Sequence, residues 1–432
     1  MGAYPNLTPA NVTSLILETA TDLGNPSKTG HGLLNLDAAT QPVGQLSLAT
    51  TNSVSGDKLN FSGTKLRIPQ VMQMMAKEMP EQVAVLDKYE RVFTVPTKNI
   101  VQVVERDNRI FQNKLHRFMK FDSIKHIAQD DSPLSFSFST ASKKDSETGI
   151  GSMDITYHLG KNDVRFYFQE DTTYGNVDYF DRTTLNPFSA MDNAYGIDNI
   201  YHLSQKTNLN FGFISGQNAL FKTTDDDQDS RGRMSAFQSG ISYQANDKLS
   251  INVNGGILNE ENSLLGIYGN GGFDIDKTQT YYVGIMAQLS PTDRWRLSGS
   301  YYYGMTPSQQ LNSFIKTNRL YSESLSFDAR YLLDKQNYIG FVLSSPLRIR
   351  KGYAQFTLPS GRDYYSDTMY QNNTKLKLHS SAREWDTGIY GVYTLTPAIR
   401  IKSQGMIRFN PEHQAKVKPD YQVLFGLNWN WY

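Results

Sequence analysis

The sequence predicts an all-β protein: a transmembrane antiparallel β-barrel with a preceding α-helix in its lumen and a small mixed α/β segment at the N-terminus. Three observations predict it. From residue 131 onward, strand after strand alternates with period two, one face apolar and the other polar or charged. Tight turns near 161, 205, 246, 291 and 335 recur at roughly 43-residue intervals, about two strands with one turn and one longer loop, and a sixth lies near 396. Finally, the chain closes on YQVLFGLNWNWY, where Tyr421, Val423, Phe425, Leu427, Trp429 and Trp431 share one face.

A soluble sandwich also alternates, but it turns its apolar face to a core. It does not explain a charged face on nearly every strand together with an aromatic-rich end. A barrel in lipid does, with the apolar face outward. Six turns, each joining two strands, plus one strand at each end give a count of fourteen. That count includes the hairpin 134–160, whose Leu134, Phe136 and Phe138 match the apolar faces elsewhere.

Composition narrows the function. The 432 residues carry 43 Lys+Arg against 42 Asp+Glu, a net charge of +1, so no nucleic-acid partner is expected. Cysteine is absent, which removes disulfides and thiolate metal sites and suits a chain that crosses an oxidising periplasm unfolded. Mean hydropathy is −0.49 and no run of about 18 apolar residues occurs, so no transmembrane helix is expected. The stretch MGAYPNLTP lacks a basic and an apolar region, so a secretory signal, if there is one, is expected outside this chain.

In order along the chain, 8–24 reads as a helix with Thr8 as N-cap, Pro9 at the first position and Gly24 as stop. A second short helix covers 69–79, and 82–96 reads as a hairpin around Asp87-Lys88. Over 97–120, Ile100, Val104, Phe111, Leu115 and Phe118 form a helical stripe, with Arg106, Arg109, Lys114 and Arg117 elsewhere on its surface. A barrel of this size leaves a channel that must be filled or it leaks, so this helix is expected to plug the lumen.

In the wall, the strands place Arg165, Arg294, Arg296, Asp328, Arg330, Arg400, Lys402 and Arg408 opposite the apolar residues, hence toward the lumen. Facing lipid near the midplane, each Arg or Lys would cost about 2–4 kcal/mol. Phe425, Leu427, Trp429, Trp431 and Tyr432 mark the closing strand. Tyr432 stands one residue out of phase with the two tryptophans.

Catalytic and metal readings fail on spacing. The seven histidines show no i, i+4 or short paired spacing for a metal. GNGG (269–272) falls in a loop rather than between a strand and a helix, so it is no phosphate cradle. TTDDDQDSRGR (223–233) is acidic without the spacing of a calcium loop. No catalytic residue, cofactor or metal is expected in this chain.

Several stretches resemble one family. SSPLRIRKGYAQFTLPSGRD (344–363), SAREWDTGIYGVY (381–393) and FNPEHQAKVKPDY (409–421) are similar to segments of the translocator barrel of subtilisin-like serine protease autotransporters, the type V secretion system. YPNLTPANVTSLILETATDLGNPSKTGHGLLNLDAATQPVG (4–44) resembles the end of a subtilisin catalytic domain, and LDKYERVFTVP resembles the linker's Asp-x-x-x-Arg-x-Phe motif.

The resemblance implies a division into a protease remnant (1–44), a linker or stalk (45–96), a linker helix and plug (97–130) and a barrel (131–432) of twelve strands. It implies a barrel in the outer membrane of a Gram-negative bacterium, a monomer inserted by the barrel assembly machinery and surrounded by outer-membrane lipid. Its own passenger would be carried to the cell surface. No Gly-Thr-Ser nucleophile motif is present, and His31 sits in a Gly-x-Gly turn as a structural residue, so the triad of the parent endopeptidase would lie upstream. The alternative from the residues alone is an outer-membrane diffusion pore, which needs no helix at 97–120.

Overall fold

The computed structural model describes residues 4–69, 72–104, 125–128, 133–142, 148–169, 191–218, 232–380 and 382–429. The chain begins with α1 (Pro9–Glu18), α2 (Pro26–Thr29) and α3 (Leu36–Thr40). Thr8 caps α1, its Oγ1 accepting from the Asn11 amide at 3.1 Å. The helix stops at Thr19, short of the expected Gly24, because Thr21 leaves to form a bridge with Leu33.

There follow β1 (Ser47–Ala49), β2 (Lys58–Asn60), β3 (Lys65–Pro69), α4 (Gln73–Glu78), β4 (Gln82–Leu86), β5 (Val92–Pro96) and β6 (Val101–Val104). The expected hairpin at 82–96 is the β4–β5 pair. The helix expected from residue 97 is corrected over its first turns. Thr97–Asn99 make a single 3₁₀ turn, and β6 pairs in parallel with β3, Val101 opposite Leu66. The β-branched run Ile100, Val101, Val103, Val104 suits a strand, and burying Ile100 and Val101 outweighs the local helical period. The rest of that expected helix, with Arg106, Arg109, Lys114 and Arg117, lies outside the described residues.

The later elements are β7 (Lys125–Ala128), β8 (Leu134–Ser142), β9 (Thr148–Leu159), β10 (Asn162–Gln169), β11 (Met191–His202), β12 (Thr207–Asn218), β13 (Arg233–Asn246) and β14 (Leu249–Glu260). Next come β15 (Ser263–Leu264), β16 (Ile267–Asn270), β17 (Thr278–Leu289), β18 (Trp295–Thr306), β19 (Gln309–Gln310), β20 (Ile315–Thr317), β21 (Leu320–Leu332) and β22 (Tyr338–Lys351). Last are β23 (Tyr353–Asp363), β24 (Thr368–Lys377), β25 (Trp385–Thr396), β26 (Ile399–Phe409) and β27 (Asp420–Trp429).

Fourteen long strands and the short β7 form one antiparallel sheet in sequence order, an up-and-down meander from β7 to β27. The hairpin β8–β9 belongs to it, in line with the count of fourteen. Among the described residues no ladder joins β27 to the opposite edge. Most long strands run 10 to 14 residues, enough to cross a bilayer at a tilt. No described helix is long and apolar enough to do so.

The meander has two unlike rims. One carries the tight turns, such as Asn246–Leu249 and Asp334–Asn337. At the other rim several segments expected to be polar loops instead fold. β16 pairs with β3, and β20 pairs with β23, which pairs with β24. Residues 45–96, expected to be a linker or stalk, together with 97–104 join these loop strands around one apolar core. Leu48, Leu66, Ile68, Met75, Val83 and Val85 from the N-terminal side meet Leu264, Phe273, Phe314, Phe356, Leu358 and Leu376 from the rim. The result is a cap at the long-loop rim.

Candidate functional site

The wall is inside out relative to a soluble sheet. Phe166, Ile197, Phe213, Phe237, Ile285, Phe341 and Ile389 lie exposed on one face. The other face buries Tyr282, Ser300, Tyr302, Ser326, Asp328, Lys402 and Gln404. Aromatics cluster toward both rims of the exposed face. Trp295 packs edge-on against Tyr331 at the turn side, and Tyr303 stacks on Tyr321 at the loop side. On the last strand Phe425 is 78 % and Trp429 52 % exposed, while Trp431 and Tyr432 lie outside the described residues.

The inner face is tied by tyrosines lying over glycines of neighbouring strands. Tyr167 faces Gly196, Tyr282 faces Gly256, Tyr302 faces Gly284 and Tyr390 faces Gly340. A Cβ at any of these glycines would overlap the ring, so only glycine admits such close cross-strand seating. Burial along this face is graded. Toward the loop rim Thr278, Thr280, Tyr282 and Thr306 are buried, whereas Gln288 and Arg296 near the turn rim are exposed. A barrel of about eight strands is just filled by its own side chains, so a fourteen-stranded wall does not close its interior unaided. The inner face is therefore shielded at the cap end and opens toward the turns.

The residues expected to line the lumen fall into three settings. Arg294, Arg296 and Arg400 are exposed at the turn rim, Arg294 donating to the Tyr331 hydroxyl at 3.2 Å and Arg296 to the Thr292 carbonyl at 3.1 Å. Midway, Asp328 is buried and accepts from Tyr390 Oη at 2.6 Å; Arg330 reaches the same hydroxyl and lies 4.7 Å over the Tyr338 ring. Arg165 bonds Asp154 across the strand pair, Nε to Oδ2 at 2.5 Å, and Lys402 is buried on β26. Toward the loops, buried Arg408 stands 3.3 Å from Glu384 and 3.4 Å from Asp386.

Three clusters escaped the sequence reading because strand register and loop contacts, not spacing, assemble them. Buried Glu323 pairs with Arg348 at 2.6 Å, with Arg383 and, at 3.9 Å, with Arg350. The loop 410–413 is locked to 382–384: His413 Nδ1 accepts from the Glu384 amide at 2.8 Å, and Glu384 Oε2 accepts from the Glu412 amide at 2.7 Å. Positive φ at Asn410, Glu412 and His413 shows how tightly that loop is bent. At the turn rim, Asp163 bridges His158 at 2.7 Å and His202 at 2.8 Å. Among the described residues no such cluster has metal-holding geometry.

The cap is pinned by polar contacts as well as its core. Arg91 and Asp87 form a fully buried pair at 2.7 Å, and Arg91 also donates to the carbonyls of Ala39 (2.6 Å) and Gln41 (2.8 Å). Tyr4 and Phe93 flank its guanidinium, each at 5.3 Å. The motif Asp87…Arg91…Phe93 thus fastens segment 4–44 to the β4–β5 hairpin. Asp367 on the β23–β24 turn accepts from the hydroxyls of Ser53 and Ser55 and from the Ser55 amide, bonds that hold its carboxyl below the ordinary value of 3.8. Tyr89 donates to Glu18 at 2.6 Å; that bond lowers Glu18, while burial first and the Glu18 contact second push Tyr89 up to about 12.

The exposed apolar face, the polar inner face, the aromatic rims and the turn-and-loop asymmetry define the class: an antiparallel transmembrane β-barrel wall. No protein-family model and no curated relative matches the chain. Among solved structures it is similar to the outer membrane protein OmpT of Vibrio cholerae in its trimer form (10 % identity, TM-score 0.39), covering 72 % of this chain and 89 % of that one. It is likewise similar to the outer membrane channel DcaP of Acinetobacter baumannii (13 % identity, TM-score 0.38), over 70 % and 81 % of the two chains. OprB of Pseudomonas putida aligns at 11 % identity and TM-score 0.37, over 68 % and 82 %. At these scores the fold assignment rests on the strands themselves.

Proposed function

We propose that the chain is the translocator part of an outer-membrane autotransporter, a barrel that delivers the segment preceding it to the cell surface. One observation carries this reading. Residues 45–104 fold at the long-loop rim, while the first long strand, β8, starts at the turn rim, where the Pro133 carbonyl accepts from the His158 amide at 2.7 Å. Val104 and Pro133 thus lie at opposite rims, a crossing of which only β7 is described, paired along the β8 edge of the sheet. A diffusion pore has no need of such a crossing, and its interior would not be shielded at the loop end.

In this reading the turn rim faces the periplasm, and the cap and residues 4–44 lie outside. Residues 1–44 are the tail of a subtilisin-like passenger, outer-membrane lipid surrounds a monomeric wall, and the barrel assembly machinery reads the aromatic last strand. The test is labelling of single cysteines in intact cells with a membrane-impermeant maleimide, since the chain has no cysteine of its own. Lys98→Cys in the cap is expected to react and Gln336→Cys in a tight turn to stay protected until the cells are opened. The reverse pattern, or protection of both, sinks the reading.

A further inference from the structure

We propose that the solvent face of the β19–β20–β23–β24 sheet docks the phosphate groups of lipids in the outer leaflet beneath it. This rests on the membrane orientation given above. The sheet has two unlike faces. Ile315, Ala354, Phe356, Leu358 and Leu376 are buried in the cap core. The opposite face is set by register: Lys316 lies across from Gln355, Gln355 from Lys375, and Tyr353 from Lys377.

All three lysines are exposed, and Lys375 Nζ stands 5.5 Å over the Tyr353 ring, which holds one ammonium on the sheet. No Asp or Glu occurs on β19, β20 or β24, or on 353–362 of β23. The face is therefore cationic without internal neutralisation, which is uncommon in a chain whose charges nearly cancel.

Position decides what the lysines meet. Gly352, at φ +144, is the single residue between the wall strand β22 and this hairpin. Its neighbour Lys351 pairs with Tyr321, which stacks on Tyr303 at 5.9 Å in the loop-side aromatic rim. Tyr353 and Lys377 thus begin immediately beyond that rim, at the level of lipid headgroups. With the apolar face turned into the cap core, the lysine face is the one left exposed beside that rim. Clustered lysines next to an apolar wall attract phosphates carried by lipid, and the lipid supplies the apolar anchoring that a free phosphate lacks.

The experiment uses the full chain reconstituted in phosphatidylcholine vesicles containing a trace of fluorescent bisphosphorylated lipid A, with quenching reporting lipid held at the wall. Wild type is expected to enrich lipid A, less so at high salt. The triple variant Lys316→Gln, Lys375→Gln, Lys377→Gln should lose that preference by about two orders of magnitude, since each lysine at an anionic surface contributes roughly fivefold. The matching triple Lys→Arg variant should retain it, and Lys28→Gln, a change of charge elsewhere, should leave it intact. Equal enrichment by wild type and the Gln variant overturns the proposal, as does displacement of lipid A by millimolar inorganic phosphate, the mark of a plain ion site. Failure of the wild type to insert overturns the membrane reading itself, and the proposal with it.

Discussion

Ile285 and Met286 are neighbours on β17 and should respond oppositely to arginine. Ile285 is 48 % exposed on the outer face, midway along the strand, between Val253 and Tyr301. Met286 points to the inner face, where burial gives way toward the turn rim, opposite Asn252 and Ser300. A guanidinium on the lipid side at mid-depth costs about 2–4 kcal/mol, roughly thirtyfold to several hundredfold in the folding equilibrium. On the inner side it meets polar groups and water and costs within about 1 kcal/mol. Leu289→Arg, on the outer face at the turn rim, should cost only about 0–1 kcal/mol because the penalty falls with depth. The assay is urea-dependent folding into phosphatidylcholine vesicles, read by the heat-dependent gel shift of folded barrels. Ile285→Arg and Met286→Arg losing equal stability, or Met286→Arg losing more, would refute the assignment of faces, because a one-residue slip exchanges the two sides of a strand.

Gly284→Val should destabilise the wall by about 1–3 kcal/mol in the same assay, since its side chain overlaps the Tyr302 ring, and Tyr302→Ala should relieve part of that cost in the double variant. Asp87→Ala leaves Arg91 buried without its carboxylate and should cost the cap about 3–5 kcal/mol; limited proteolysis should then release segment 4–44 before it touches the wall. The Asp367 latch and the Glu18–Tyr89 contact set a pH window. Both carboxyls are lowered in the folded state, so their contribution is present above the ordinary values of 3.8 and 4.5 and is lost as pH falls below them. Tyr89 is raised, so its contribution is present below pH 10 and is lost as pH climbs toward about 12. Amide protection relative to intrinsic exchange should therefore fall at both extremes in α1 but only at the acid extreme at 53–55, and protection that stays constant in both from pH 3 to 12 would count against these contacts.

The period-two pattern and the tight turns together determined the wall: the turn count gave fourteen strands, with turns such as 246–249 and 334–337, and the alternation separated their apolar and polar faces, because side-chain alternation and turn chemistry are local properties that each strand carries whole. The apolar outer face of Phe425 to Trp429 was legible for the same reason. The cap was not. β3 finds its partners in β16, some two hundred residues away, and in β6, and a short apolar run carries no signal of which distant edge it will join. The stretch 100–104 shows the consequence: its helical stripe was a local reading, and the parallel edge of β3 decided for a strand by burying Ile100 and Val101. The charged clusters follow the same rule. Glu323 meets Arg348 through cross-strand register, and Arg383 and His413 arrive on separate loops, so no spacing along the chain announces them. Composition and period specify which face a residue takes; only the folded register specifies which residue it meets there.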